Sequence, residues 1–251
     1  NINGGIFRLA TADDAIHSDH DLILGKKDGA YSDFEVYVTK CYEGIEGGNI
    51  YQYSGTVIVK AGDDGYNAAG GADGSGSGNN TGWNQGGFGG GMGGSSGNVL
   101  QIEGGIAIVQ SASGDHDAFD SNGNLNISGG VVIANGQEPL DCGDGYSENI
   151  SGGTVIECSS QGTGSVSANT QFTVADSSGN IIVSFTTMQG MGSPSFTSGS
   201  GLTCYTGGTI SNGTNLITSD ETMKLYADGT ISGGTEVATG SGGGGNWGDR
   251  W

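Results

Sequence analysis

The chain has 251 residues, 54 of them Gly and only 2 Pro, and its apolar content of 33% is low for one large rounded core. Seven Lys and Arg against 27 Asp and Glu leave a net charge of −20, which argues against nucleic acid as a partner and suits divalent cations. No apolar run approaches the roughly 18 residues that a membrane-crossing helix needs, and no leader is recognisable, although a mature secreted chain would have lost one.

Five copies of one short pattern set the organisation: an acidic residue, then two positions later a large apolar residue, then an acidic or polar one. They are Asp14-Ala15-Ile16-His17, Glu43-Gly44-Ile45-Glu46, Asp64-Gly65-Tyr66-Asn67, Asp117-Ala118-Phe119-Asp120 and Glu138-Pro139-Leu140-Asp141. Their starts are 29, 21, 53 and 21 residues apart, which fits a unit of about 21 residues with insertions in two gaps. The shared register predicts that Ile16, Ile45, Tyr66, Phe119 and Leu140 stack inside a core.

In chain order, Asn1-Ile2-Asn3-Gly4-Gly5 reads as the end of a coil with no amphipathic cap before it. It reads either as a truncated start or as an open edge available to a partner such as a second copy of the chain. A glycine corner followed by alternating apolar residues then recurs: Gly4-Gly5 before Ile6, Ser54-Gly55 before Val57 and Val59, Gly104-Gly105 before Ile106 and Ile108, Gly129-Gly130 before Val131 and Ile133, and Gly152-Gly153 before Val155. Glycine opens the turn and β-branched residues make the strand. Short strands are expected just upstream, at Leu22 and Ile23, Ile50 to Tyr53, Val99 to Ile102, Leu125 to Ile127, and Asn149 with Ile150. The sequence thus predicts an all-β protein whose residues 1–165 form a parallel β-helix of about five coils. One short insertion falls at Lys26 to Ser32. A Gly-rich one spans 68–98, with Trp83, Phe88 and Met92 its large apolar residues. Longer strands at Thr170 to Ala175, Ile181 to Thr186, Leu202 to Tyr205 and Lys224 to Ala227, with a hairpin turn at Asp176 to Asn180, predict a C-terminal β cap over 166–238. Residues 239–251 form a Gly-rich tail. Cys41, Cys142, Cys158 and Cys204 show no zinc-type spacing, and disulfides and free buried thiols remain alternatives.

Equivalent residues on adjacent parallel strands lie about 4.7–4.9 Å apart, and calcium sits about 2.3–2.6 Å from its oxygen ligands. A Ca²⁺ ion between two coils is therefore within reach of carboxylates from both. One acidic column is Asp14, Glu43, Asp64 and Asp117, with Asp13, Asp63 and Asp115 beside it. A second is His17, Glu46, Asn67, Asp120 and Asp141. Stacked carboxylates repel unless a cation separates them, and donors that are nearly all oxygen favour more than one Ca²⁺ over zinc or copper. Asp19, Asp21 and His20 form a further local group, readable equally as turn formers.

The strings DDAIHSDHDLIL, YEGIEGGNI, DDGYNAAGG, GGMGGSSGN, LNISGGVVIA, SSGNIIVSF and LYADGTISGG resemble a bacterial cell-surface family of calcium-binding, carbohydrate-binding proteins from clostridia and their relatives. The resemblance covers nearly the whole chain. It implies a right-handed parallel β-helix similar to that of family 9 pectate lyases, several bound Ca²⁺, an extracellular location, and binding of cellulose or of acidic sugars such as polygalacturonate. Lys26 to Ser32 departs from the plain glycine corner of that pattern.

Three functions follow as expectations. The first is a non-catalytic polysaccharide-binding protein in which calcium bridges protein and uronate carboxylates. The second is a structural subunit that assembles end to end through its N-terminal edge into calcium-stabilised fibres. The third is a calcium-dependent lyase, for which Lys40 and Lys60, near the acidic corners, are the available basic groups; charge balance is their simpler role.

Overall fold

A computed structural model describes residues 1–69, 97–112, 116–159, 166–217 and 220–240. It is all-β, with no helix among the described residues. Ala68, Ala69, Gly97 and Asn98 of the Gly-rich insertion, and Thr239 and Gly240 of the tail, are described; the rest of both segments, including Trp83, Phe88 and Met92, lies outside the described residues.

The strands are β1 (Gly5–Ala10), β2 (Ile16–Leu24), β3 (Phe34–Lys40), β4 (Ile45–Gln52), β5 (Thr56–Lys60), β6 (Tyr66–Ala68) and β7 (Val99–Ile102). They continue as β8 (Ile106–Gln110), β9 (Phe119–Ser121), β10 (Asn124–Ile127), β11 (Val131–Gly136), β12 (Glu148–Ile150) and β13 (Thr154–Ser159). The C-terminal part holds β14 (Gln171–Asp176), β15 (Ile181–Thr186), β16 (Ser193–Ser198), β17 (Leu202–Thr206), β18 (Thr209–Ser211), β19 (Leu225–Tyr226), β20 (Thr230–Ser232) and β21 (Thr235–Thr239).

The first sheet has the order β1-β3-β5-β8-β11-β13-β16, parallel throughout except for the antiparallel last pair. Its strands share a starting corner. Gly55, Gly105, Gly130 and Gly153 align in successive rungs, all at positive φ between 76° and 83°. In that backbone conformation a Cβ is strained, so the recurring glycines are a conformational requirement. The sheet has six parallel strands, one more than the five glycine-led strands of the sequence. The additional strand is β3, which has Phe34 where its neighbours have glycine. The Phe34 ring occupies the space over Gly55, where an added Cβ would come within 2.1 Å of a ring carbon.

The second sheet has the order β12-β10-β7-β4-β6-β9, with β2 also paired to β4. Here the acidic step and the upstream strand of the first two rungs fuse into long strands, β2 and β4. β4 then pairs with β6 through Ile45 and Glu46 and with β7 through Ile50 to Gln52. The expected stack is present: Ile16 pairs with Ile45, Ile45 with Tyr66, Tyr66 with Phe119, and Phe119 bridges to Leu140. Tyr66 and Phe119 are fully buried, with ring centroids 4.9 Å apart. The Tyr66 hydroxyl donates to Gln52 Oε1 at 2.6 Å, and Gln52 Nε2 donates to the Ile106 carbonyl, so this interior glutamine is satisfied.

The two sheets enclose one apolar core. The first contributes Val36, Val57, Ala107, Val132 and Val155; the second contributes Leu22, Ile50, Leu100 and Leu125. The opposite face of the first sheet is apolar too. Tyr37, Ile58, Ile108, Ile133 and Ile156 form a ladder that joins Phe172, Val174, Val183, Phe185 and Leu225 in a second core. The strands of the C-terminal part occur at the expected positions, and β14, β15, β17, β19 and β21 form an antiparallel five-stranded sheet. Asp176 Oδ1 accepts the amides of Ser178 and Asn180 in the anticipated hairpin turn. β16 covers the edge of β13, the last parallel strand of the first sheet, while the five-stranded sheet covers the flank. The reason is visible in runs such as Thr56–Lys60 and Ile106–Gln110, nearly all apolar and buried on both faces. All four cysteines are free thiols; Cys41, Cys158 and Cys204 are buried and Cys142 is half-buried.

Candidate metal centre

The acidic corners lie where β2, β4, β6 and β9 begin, immediately after the strands of the first sheet end. Because β4 pairs with β2 and β6, and β6 with β9, residues two positions apart in each corner are stacked on their counterparts. His17 pairs with Glu46, Glu46 with Asn67, and Asn67 with Asp120. Asp141 continues the line: its amide donates to Phe119 O and its carbonyl accepts from Ser121.

Three groups of potential ligand atoms come together, each with its atoms within 4.8 Å of one another: Asp14, His17 and Glu46; Asp63, Asp64 and His116; and Asp117, Asp120 and Asp141. In the first, His17 Nδ1 lies 2.5 Å from Glu46 Oε2 and 3.5 Å from Asp14 Oδ2. In the second, His116 Nδ1 hydrogen-bonds Asp63, and Asp64 Oδ1 accepts the Asp117 amide at 2.8 Å. Glu43 links the groups by accepting from Asn67 Nδ2 at 2.9 Å. Asn67 is 7% exposed, and its buried Oδ1 has no hydrogen-bond partner among the described residues.

Burial and mutual repulsion hold Asp14, Glu43, Asp64, Asp117, Asp120 and Asp141 above the ordinary carboxyl range, and desolvation is the largest cause at each of these six. Asp117 is pushed up to about 8, with Asp64 and Asp141 adding repulsion, and Asp120 to about 7. Glu43 rises to about 7 despite the Asn67 hydrogen bond, and Asp14 to about 6. Asp64 and Asp141 are raised for the same reasons. These corners hold anions close together in a partly dry environment, where a bound cation would relieve both costs.

Of the residues singled out in the sequence, Asp14, Glu46, Asp63, Asp64, Asp117, Asp120 and Asp141 enter these groups, and Glu43 and Asn67 connect them. Asp13 is exposed, and its carbonyl accepts from Tyr42 and Thr11. Asp115 lies outside the described residues. Asp21 turns away from the corner to accept from Asn49 Nδ2 on the outside of the second sheet, and Asp19 touches His17 Nε2 at 3.1 Å. His116 was missed in the sequence because it precedes the Asp117 motif and has no histidine counterpart in the other corners. Lys40 is exposed and Lys60 half-buried, and neither ammonium makes an ion pair among the described residues.

Comparison with protein families, with curated proteins and with solved structures finds no match to this chain.

Proposed function

We propose that the chain is an extracellular, calcium-binding, non-catalytic polysaccharide-binding protein built on a right-handed parallel β-helix. The fold reading is supported by six parallel strands that begin at one aligned corner and alternate along the chain with those of the second sheet. Crossovers between parallel strands are nearly always right-handed.

One observation carries the calcium reading: among the described residues the buried Asn67 Oδ1 has no hydrogen-bond partner and sits in a ladder of carboxylates with which no Lys or Arg pairs. A neutral oxygen beside crowded carboxylates is the donor set of a hard cation. Asp117, Asp120 and Asp141 fit Ca²⁺ best, being all oxygen, and Asp64 and Asn67 adjoin them. Asp14, Glu43 and Glu46 form the second such set. The ring nitrogens of His17 and His116 are less suited to calcium, so the Asp63–Asp64–His116 group is the weakest of the three for this ion. Bound calcium would neutralise the corners and offer open coordination positions to hydroxyl or carboxylate groups of a sugar. The resemblance of the corner strings to calcium-binding, carbohydrate-binding proteins supports the same reading.

The test combines metal analysis with calorimetry after chelation and dialysis. More than one Ca²⁺ per chain is expected to bind, and chelation is expected to abolish retention on polygalacturonate. A protein with equal thermal stability in Ca²⁺ and in chelator, and no heat of binding, would overturn the metal reading. Polygalacturonate retention that survives chelation would overturn the calcium bridge alone.

A further inference from the structure

The outer faces of the two sheets are opposites. That of the first is an isoleucine ladder covered by the C-terminal sheet. That of the second, among the described residues, carries polar groups and tyrosines and packs against no other sheet. Parallel sheets normally bury both faces, so an open one of this composition calls for a reason.

Its columns can be read from the register. Ile23, Tyr51, Gln101, Asn126 and Asn149 lie side by side on successive strands, all at least partly exposed. One step on, Tyr53 and Glu103 follow their strands on the same side. The Tyr51 and Tyr53 rings are stacked nearly parallel, 11° between their planes, with centroids 6.5 Å apart. The amides on the strands beyond them are pre-set: Asn149 Nδ2 donates to Asn126 Oδ1 at 3.0 Å, and Gln101 Nε2 to Glu103 Oε1 at 2.6 Å. Lys27 Nζ lies 5.0 Å from the Tyr53 ring centre and 3.2 Å from Glu103. Beyond Tyr53 the face runs into an open cleft of about 460 Å³, walled by Asp28, Tyr31 and Glu103 and floored by the Gly104–Gly105 backbone.

We infer that this face and its cleft bind a neutral pyranose polysaccharide, with the parallel rings of Tyr51 and Tyr53 as its aromatic contacts. The proposal rests on the polysaccharide-binding reading and locates a surface for it apart from the calcium corners. The occupant follows from the chemistry. Flat aromatic faces pack against the C–H faces of sugar rings, while amides and carboxylates take the hydroxyls at the rim. A face that runs across five successive strands suits an extended chain rather than a compact ligand. Charge rejects a uronate here: the face carries the Asp21 and Glu103 carboxylates, and Lys27 is already paired with Glu103.

The experiment is pull-down on insoluble cellulose and affinity electrophoresis in soluble neutral β-glucan, with wild type and the Tyr51→Ala/Tyr53→Ala double variant. Each protein is also checked for its calcium-induced thermal shift and its polygalacturonate retention. The double variant is expected to lose about tenfold or more in glucan affinity, with its calcium shift and polygalacturonate retention unchanged. A Tyr51→Phe/Tyr53→Phe variant, which keeps the rings, is expected to retain most of the glucan affinity. Glucan binding by wild type that the alanine variant matches would overturn this surface while leaving the polysaccharide reading standing. Wild type that binds no glucan in calcium or in chelator, yet is retained by polygalacturonate, would overturn the neutral-sugar assignment. Retention on neither polymer would sink the broader reading as well.

Discussion

Gly55 shows how much of this architecture depends on single backbone positions. It has φ near +76°, and an added Cβ would lie 2.1 Å from the Phe34 ring. Left-handed strain and overpacking act together there, so Gly55→Ala is expected to cost about 2–4 kcal/mol. Gly145 separates the two effects. Its φ is +84°, but nothing lies within 4 Å of an added Cβ, so Gly145→Ala is expected to cost only about 1 kcal/mol. Urea midpoints of the two variants check the difference. At the acidic corner, Asp120 is the residue whose change is most diagnostic. Asp120→Asn removes repulsion that Asp64 and Asp141 exert on a desolvated carboxylate. The variant is expected to melt higher than wild type in chelator and lower in Ca²⁺, a reversal that a purely structural carboxylate would not produce.

Among the elements, the C-terminal sheet does the least expected work. Its strands were legible one by one, because Phe172 and Val174, and Ile181, Val183 and Phe185, fall on alternate positions on either side of a strong turn signal. Its location was not, since alternation says that a strand has an apolar face without saying what that face meets. The information lay elsewhere, in Ile58, Ile108, Ile133 and Ile156, which make the first sheet apolar on both sides. β3 was hidden for a related reason: with Phe34 in place of glycine, its corner lacks the punctuation by which the other strands are found. The corner motif was the most legible feature, because stacking forces the same residue types into the same register. His116 was not, since its role depends on which neighbour lies across the rung. Phe172 and Phe185 are fully buried, with ring centroids 5.6 Å apart against the isoleucine ladder. Phe172→Ala is expected to cost about 3–5 kcal/mol and to raise binding of a hydrophobic dye as the ladder is uncovered, measured by urea unfolding and by dye fluorescence.

Over the whole molecule the corners act as a coupled acid reservoir. Asp14, Glu43, Asp120 and Asp117 have folded-state pKa values near 6, 7, 7 and 8. All lie above the ordinary carboxylate range, so between about pH 4 and pH 8 the folded state holds more protons than the unfolded one. Stability without metal is therefore greatest at the acidic end and falls as pH rises through these values. Thermal melts in chelator are expected to drop across that window, and saturating Ca²⁺ to flatten or reverse the trend. The excursion from Lys26 to Asp33 carries a different consequence. The strands on either side of it stay in step, with Phe7 beside Val36 and Val36 beside Val57, although the connection is longer than a plain glycine corner. Lengthening such a connection adds a closure entropy that grows only logarithmically, while the stacked rungs hold their alignment. The detour brings Asp28 and Tyr31 to the cleft wall and Lys27 over Tyr53. A ladder of this kind can remodel its surface one corner at a time: new recognition chemistry is added at the margin while the interior alignment is inherited intact.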